Sequence, residues 1–166
     1  MENKYEYGKN MAKARQVLAN FDAKIPKIEI NPKNKRKGTK VIITSKMYDE
    51  TSHDKIKVKL IFKEVAGIDF RVNYIDSLIG SEAFGLYCFE DKGIIMRIMK
   101  DIFKRRKEIY LLEGDYNYDE EDEEDGLNTF DLDGEFSKNI GEYKAFVQNV
   151  DSGVYIIISR SLTIEK

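Results

Sequence analysis

Between Lys55 and Tyr74 the chain alternates apolar and polar residues, and this period of two constrains its fold more than any other feature. Ile56, Val58, Leu60 and Phe62 fall on one side, with Lys57, Lys59 and Lys63 on the other. Further on, Ile68, Phe70, Val72 and Tyr74 oppose Asp69, Arg71 and Asn73. Successive side chains of an extended chain point to opposite faces, so both runs predict half-buried strands whose outer face is positive. Ala66-Gly67 lies between them, where a tight turn would join the two strands into a hairpin.

Other segments carry the same signature. "VIITS" from Val41 and "GLYCFED" from Gly85 to Asp91 predict short strands, as does "EIYLLEG" from Glu108. "FDLDGEF" places Phe130, Leu132 and Phe136 opposite Asp131, Asp133 and Glu135. "EYKAFVQNV" and "GVYIIISRSLTI" predict a final hairpin turning at Asp151-Ser152-Gly153. Two segments show the helical period instead. Met11, Ala14, Leu18 and Phe21 predict a helix over about 10–22, stopped by Pro26. Ile95, Ile98, Met99, Ile102 and Phe103 predict an amphipathic helix over about 92–106. Asp91 caps that helix, and Lys104, Arg105, Arg106 and Lys107 sit at its negative end. The expected fold class is therefore α+β, a mostly antiparallel sheet or small barrel of about 6–8 strands with two main helices.

At 166 residues the chain predicts a single domain over 1–166. Cys88 is the only cysteine, which excludes an internal disulfide and favours a reducing, cytoplasmic setting. No run is apolar enough for a membrane span, and the start "MENKYEYGKN" lacks the apolar core of a secretion signal.

The charge is unevenly divided. From Glu113 to Glu135 there are twelve acids and no base, including the unbroken run Asp119, Glu120, Glu121, Asp122, Glu123, Glu124 and Asp125. The other residues hold 18 of the 30 acids against all 28 lysines and arginines, a balance of +10. A basic body thus carries one strongly acidic segment, expected to be exposed over 113–127, and an exposed basic loop over 31–40.

Catalytic chemistry finds little footing. His53 is the only histidine and lies in the polar stretch "DETSHDK", a setting for a solvated turn residue. Cys88 is flanked by Leu86, Tyr87 and Phe89, the surroundings of an inert buried thiol. The spacing of a phosphate-cradling loop is absent. Glu90 and Lys92 stand two apart before a helix, with Asp76 upstream. This order resembles the Asp, then Glu-x-Lys, pattern of the restriction-endonuclease-like nucleases, which implies a metal-dependent nuclease as a minor alternative. The same spacing recurs at Glu2 with Lys4 and at Glu142 with Lys144. A calcium loop centred on Gly134 would begin at Thr129 and end at Ile140, neither of them a carboxylate. No metal or cofactor is expected.

Nucleic acid is the ligand that the charge pattern favours, because a positive surface releases counterions from any phosphate polymer. The expected contacts are Lys33, Lys35, Arg36 and Lys37 of the basic loop, and Lys57, Lys59 and Arg71 of the strands. Single-stranded nucleic acid is favoured, with the acidic segment modulating the contact or recruiting a basic partner. The alternatives are an acidic, DNA-mimic-like inhibitor that docks into a basic protein, as suits a phage or mobile-element product, and a structural homo-oligomer assembled through open strand edges.

Overall fold

The computed structural model describes residues 14–18, 23–31, 38–49, 51–72, 82–112, 135–151 and 153–166. Seven strands dominate: β1 (Arg15–Leu18), β2 (Ala23–Asn31), β3 (Lys40–Asp49), β4 (Asp54–Val72), β5 (Glu82–Phe89), β6 (Lys144–Val150) and β7 (Gly153–Glu165). They are joined by helix α1 (Lys92–Leu112), a single helical turn α2 (Glu135–Lys138) and a 3-10 turn at Ile140–Glu142. The strands are antiparallel in the order β1-β5-β2-β3-β4-β7-β6, and β5 also pairs with β6. β2, β3, β4, β7, β6 and β5 thereby form a ring, with β1 lying against β5. The result is a sheet-dominated α+β fold.

Two apolar clusters hold the ring together. Its interior is filled by Ile25, Ile43, Val58, Leu60, Phe62, Leu86, Phe146, Tyr155, Ile157 and their neighbours. The second cluster lies on the outside, where Ile95, Ile98 and Met99 of α1 cover Ala145, Val147, Val154, Ile156 and Ile158. β6 and the first half of β7 are therefore buried on both faces, and "VYIII" has no polar alternation for that reason. Polar groups inside the ring are partnered. The Tyr155 hydroxyl donates to Gln148 Oε1, and Gln148 Nε2 donates to the Phe84 carbonyl at 2.6 Å. Burial pushes the Cys88 thiol above its ordinary pKa. No helix among the described residues is long and apolar enough to cross a membrane.

Several expected elements differ. The hairpin centred on Ala66-Gly67 is a single strand: residues 54–62 of β4 pair with β3, and residues 59–72 pair with β7. Gly67 is explained by packing, since a Cβ there would come within 2.5 Å of Met99 Sδ. The irregularity between Val65 and Gly67, beside Glu64 at a φ of 52°, is a bulge within β4 rather than a turn. Arg160 steadies it, with Nη1 at 2.7 Å from Glu64 Oε2.

The helix expected over 10–22 is a strand at Arg15–Leu18, antiparallel to Leu86–Cys88. Val17 and Leu18 pack against the ring interior there, so tertiary burial overrides a weak local period. Pro26, expected to stop that helix, lies in β2 beside a register shift between Lys24 and Lys27, where a missing N–H is tolerated.

"EIYLL" continues α1 to Leu112 instead of forming a strand. Ile102, Ile109 and Leu112 keep the helical phase of Ile95 and Ile98, and a short apolar run cannot by itself distinguish strand from helix. Lys104–Lys107 consequently lie inside the helix and not at its end. Asp91 does cap α1, accepting from the Ile94 amide at 3.0 Å. In "FDLDGEF", Glu135 and Phe136 belong to the helical turn α2, while 130–134 lie outside the described residues. The closing β6–β7 hairpin is present, with Val150 paired to Gly153.

Candidate polyanion-binding face

Alternation along β2, β3 and the first half of β4 sends one set of side chains into the ring and the other outward. The inward set is Ala23, Ile25, Val41, Ile43, Met47, Val58, Leu60 and Phe62. The outward set is rich in lysine: Lys24 and Lys27 on β2, Lys46 on β3, and Lys55, Lys57, Lys59 and Lys63 on β4, all exposed.

Register aligns these cations into rows. Lys46 pairs with Lys24 on one side and with Lys57 on the other, so three lysines stand abreast across three strands. In the adjoining row Thr44 lies between Lys27 and Lys59, and Lys59 is followed by Glu165 of β7. Neighbouring strands are about 4.8 Å apart, so the charges crowd one another. Like charges directly opposite each other destabilise a sheet. Among the described residues, Lys24, Lys46, Lys57 and Lys59 have no salt bridge. Lys27 is bound to Glu29 at 2.9 Å. That contact, with Lys59 and Lys57 nearby, holds the Glu29 carboxyl below the usual carboxylate range.

The far end of the face is the β3–β4 hairpin. Asp49 Oδ2 accepts from the Ser52 amide at 3.2 Å and from its hydroxyl at 2.8 Å, lowering the Asp49 pKa. His53 occupies the turn at a φ of 58° and is exposed. Its Nδ1 shares a hydrogen bond of 3.0 Å with the hydroxyl of Tyr48, an outward β3 residue.

Of the residues singled out from sequence, Lys57 and Lys59 lie together on this face. Arg71 does not: it follows the bulge, on the part of β4 that α1 covers, and its Nε donates to buried Asp69 at 2.7 Å. Arg105 of α1 donates to the same carboxylate oxygen. Lys33, Lys35, Arg36 and Lys37 lie outside the described residues, as do the acidic residues 119–125 and Asp76. Glu90 is engaged by Lys144 Nζ at 2.7 Å, which lowers its pKa. No group of three potential metal ligands occurs among the described residues.

Lys24, Lys27, Lys46 and Tyr48 were not expected at the site. "KIPKIEI" contains a proline that masks a strand, and only cross-strand register makes Lys46 a neighbour of Lys57. Comparison with known proteins finds no matching family, no matching curated protein and no matching solved structure.

Proposed function

We propose that the protein is a non-catalytic binding protein that engages nucleic acid, preferentially single-stranded, through the outward lysines of β2, β3 and β4. One observation carries this: Lys24, Lys46 and Lys57 stand in register across three strands, with Lys27 and Lys59 beside them. Lysines that only solubilise a surface gain by interspersing with acids, whereas a row of like charges costs folding stability. A polyanion laid across the row removes that repulsion and releases its own counterions. The same reading assigns Lys33, Lys35, Arg36 and Lys37, which lie outside the described residues, to nucleic-acid contact. The acidic run 119–125 competes with the ligand for these cations or recruits a basic partner.

Titration of a labelled single-stranded oligonucleotide across a salt series tests the proposal. The logarithm of affinity should fall linearly with the logarithm of salt, by about 0.7 per phosphate neutralised. A variant combining Lys46→Gln, Lys57→Gln and Lys59→Gln should make that slope shallower by about 2. Absence of binding at low salt, or binding indifferent to salt, rejects the proposal. Deleting residues 115–125 should tighten oligonucleotide binding. If deletion leaves that binding unchanged and abolishes capture of a basic protein, the acidic segment is instead the docking element.

A further inference from the structure

We infer that Tyr48, held by His53, is a base-stacking position at the end of the lysine face; this rests on the reading that the face takes single-stranded nucleic acid. Ile30, Tyr48 and Phe84 are the large apolar side chains exposed among the described residues, and Tyr48 is 41% exposed. Its setting is cationic. Lys46 precedes it by two residues on the same face of β3, and Lys55 is its direct partner on β4.

The ring is also held in place. Its hydroxyl is tied to His53 Nδ1, and the two ring centroids are 6.4 Å apart at 48°. His53 is in turn fixed, because its amide donates to the Asp49 carbonyl at 2.9 Å and Asp49 binds Ser52 across the same turn. An aromatic ring already oriented loses little freedom when a ligand covers it.

Stacking on such a ring is open to any base, since every base has a π face, while flanking lysines neutralise the phosphates. A duplex has its bases stacked internally and offers this ring only its backbone. The pairing of Tyr48 with Lys46 and Lys55 thus supplies a contact that single strands can use and duplexes cannot. It also gives exposed His53 a role, that of positioning Tyr48.

Three ligands separate this inference from the one beneath it: a labelled single strand, the corresponding duplex, and heparin, which has the charge but no bases. Tyr48→Ala should weaken single-strand binding roughly tenfold while leaving the salt slope unchanged. Duplex and heparin binding should not move, and Tyr48→Phe, which keeps the ring but loses the bond to His53, should bind single strands with an affinity between those of Tyr48→Ala and the unaltered protein. The chain has no tryptophan, so Tyr48→Trp introduces one reporter. Its emission should be quenched by the single strand and not by heparin. Unchanged single-strand affinity in Tyr48→Ala, equal losses on all three ligands, or an unquenched Tyr48→Trp would overturn the stacking role with the lysine face intact. If the unaltered protein binds none of the three at low salt, the lysine reading fails as well.

Discussion

The two halves of β4 are built on one strand and used in opposite ways. From Lys55 to Lys63 four of the outward positions, Lys55, Lys57, Lys59 and Lys63, are exposed lysines, and the fifth is the buried Ile61. From Gly67 to Arg71 they are a glycine, a buried aspartate and an ion-paired arginine, and α1 packs over them. A bulge at Val65–Gly67 separates the halves. β7 divides in the same sense: Val154, Ile156 and Ile158 are covered by the helix, whereas Ser161, Thr163 and Glu165 are exposed. The outer face of a strand can be spent on packing or left for a ligand, and the outward residue types show which. Packing selects small or apolar groups and satisfied charges. In the solvent-facing half Lys57 and Lys59 have no salt bridge among the described residues, although Glu165 lies opposite Lys59.

The strongest test of this division is to damage one half and measure the other. Ile98 is fully buried between α1 and the sheet, so Ile98→Ala should cost about 3 kcal/mol of stability by denaturant unfolding. Oligonucleotide binding at the lysine face should survive below the melting transition. If binding is lost while the fold persists, the halves are not independent.

A smaller effect is expected at Asp69. Its carboxylate sits between Arg71 and Arg105, whose side chains are 19% and 35% exposed, so both arginines keep some access to water when it is removed. Asp69→Ala should therefore cost about 2 kcal/mol, less than breaking a fully buried pair. It should loosen α1, seen as faster amide exchange in 95–102, without changing the salt slope of binding.

The smallest change in stability has the opposite sign. Lys46→Thr removes the central charge of the row Lys24–Lys46–Lys57 and should raise stability by a few tenths of a kcal/mol. The same variant should weaken binding and make the salt slope about 0.7 shallower. A lysine that merely solubilised the sheet would show neither opposed effect.

Much of the sheet was legible in sequence because strand alternation is local. β3, β5, the β6–β7 hairpin and the Asp91 start of α1 all lie where their residues predict. Ala66-Gly67 misled because a glycine between two alternating runs has two physical explanations. It can turn the chain or make room for a neighbour, and here the neighbour is Met99, thirty-odd residues further on. Lys57 and Lys59 were visible as a positive strand face. Their company was not: Lys24 lies in a strand that Pro26 conceals, and Arg71 has the same period as the lysines yet belongs to the helix-covered half.

By itself, then, the sequence determined the alternation of side chains along the strands it revealed, β4 above all, and with it the existence of a buried face and a charged one. That much follows from extended backbone geometry over a few residues. Which charges became neighbours was decided only by the tertiary structure, because register across strands and the seating of α1 depend on contacts between distant segments. Lys24, Lys46 and Lys57 acquire a shared role only once β2, β3 and β4 lie side by side.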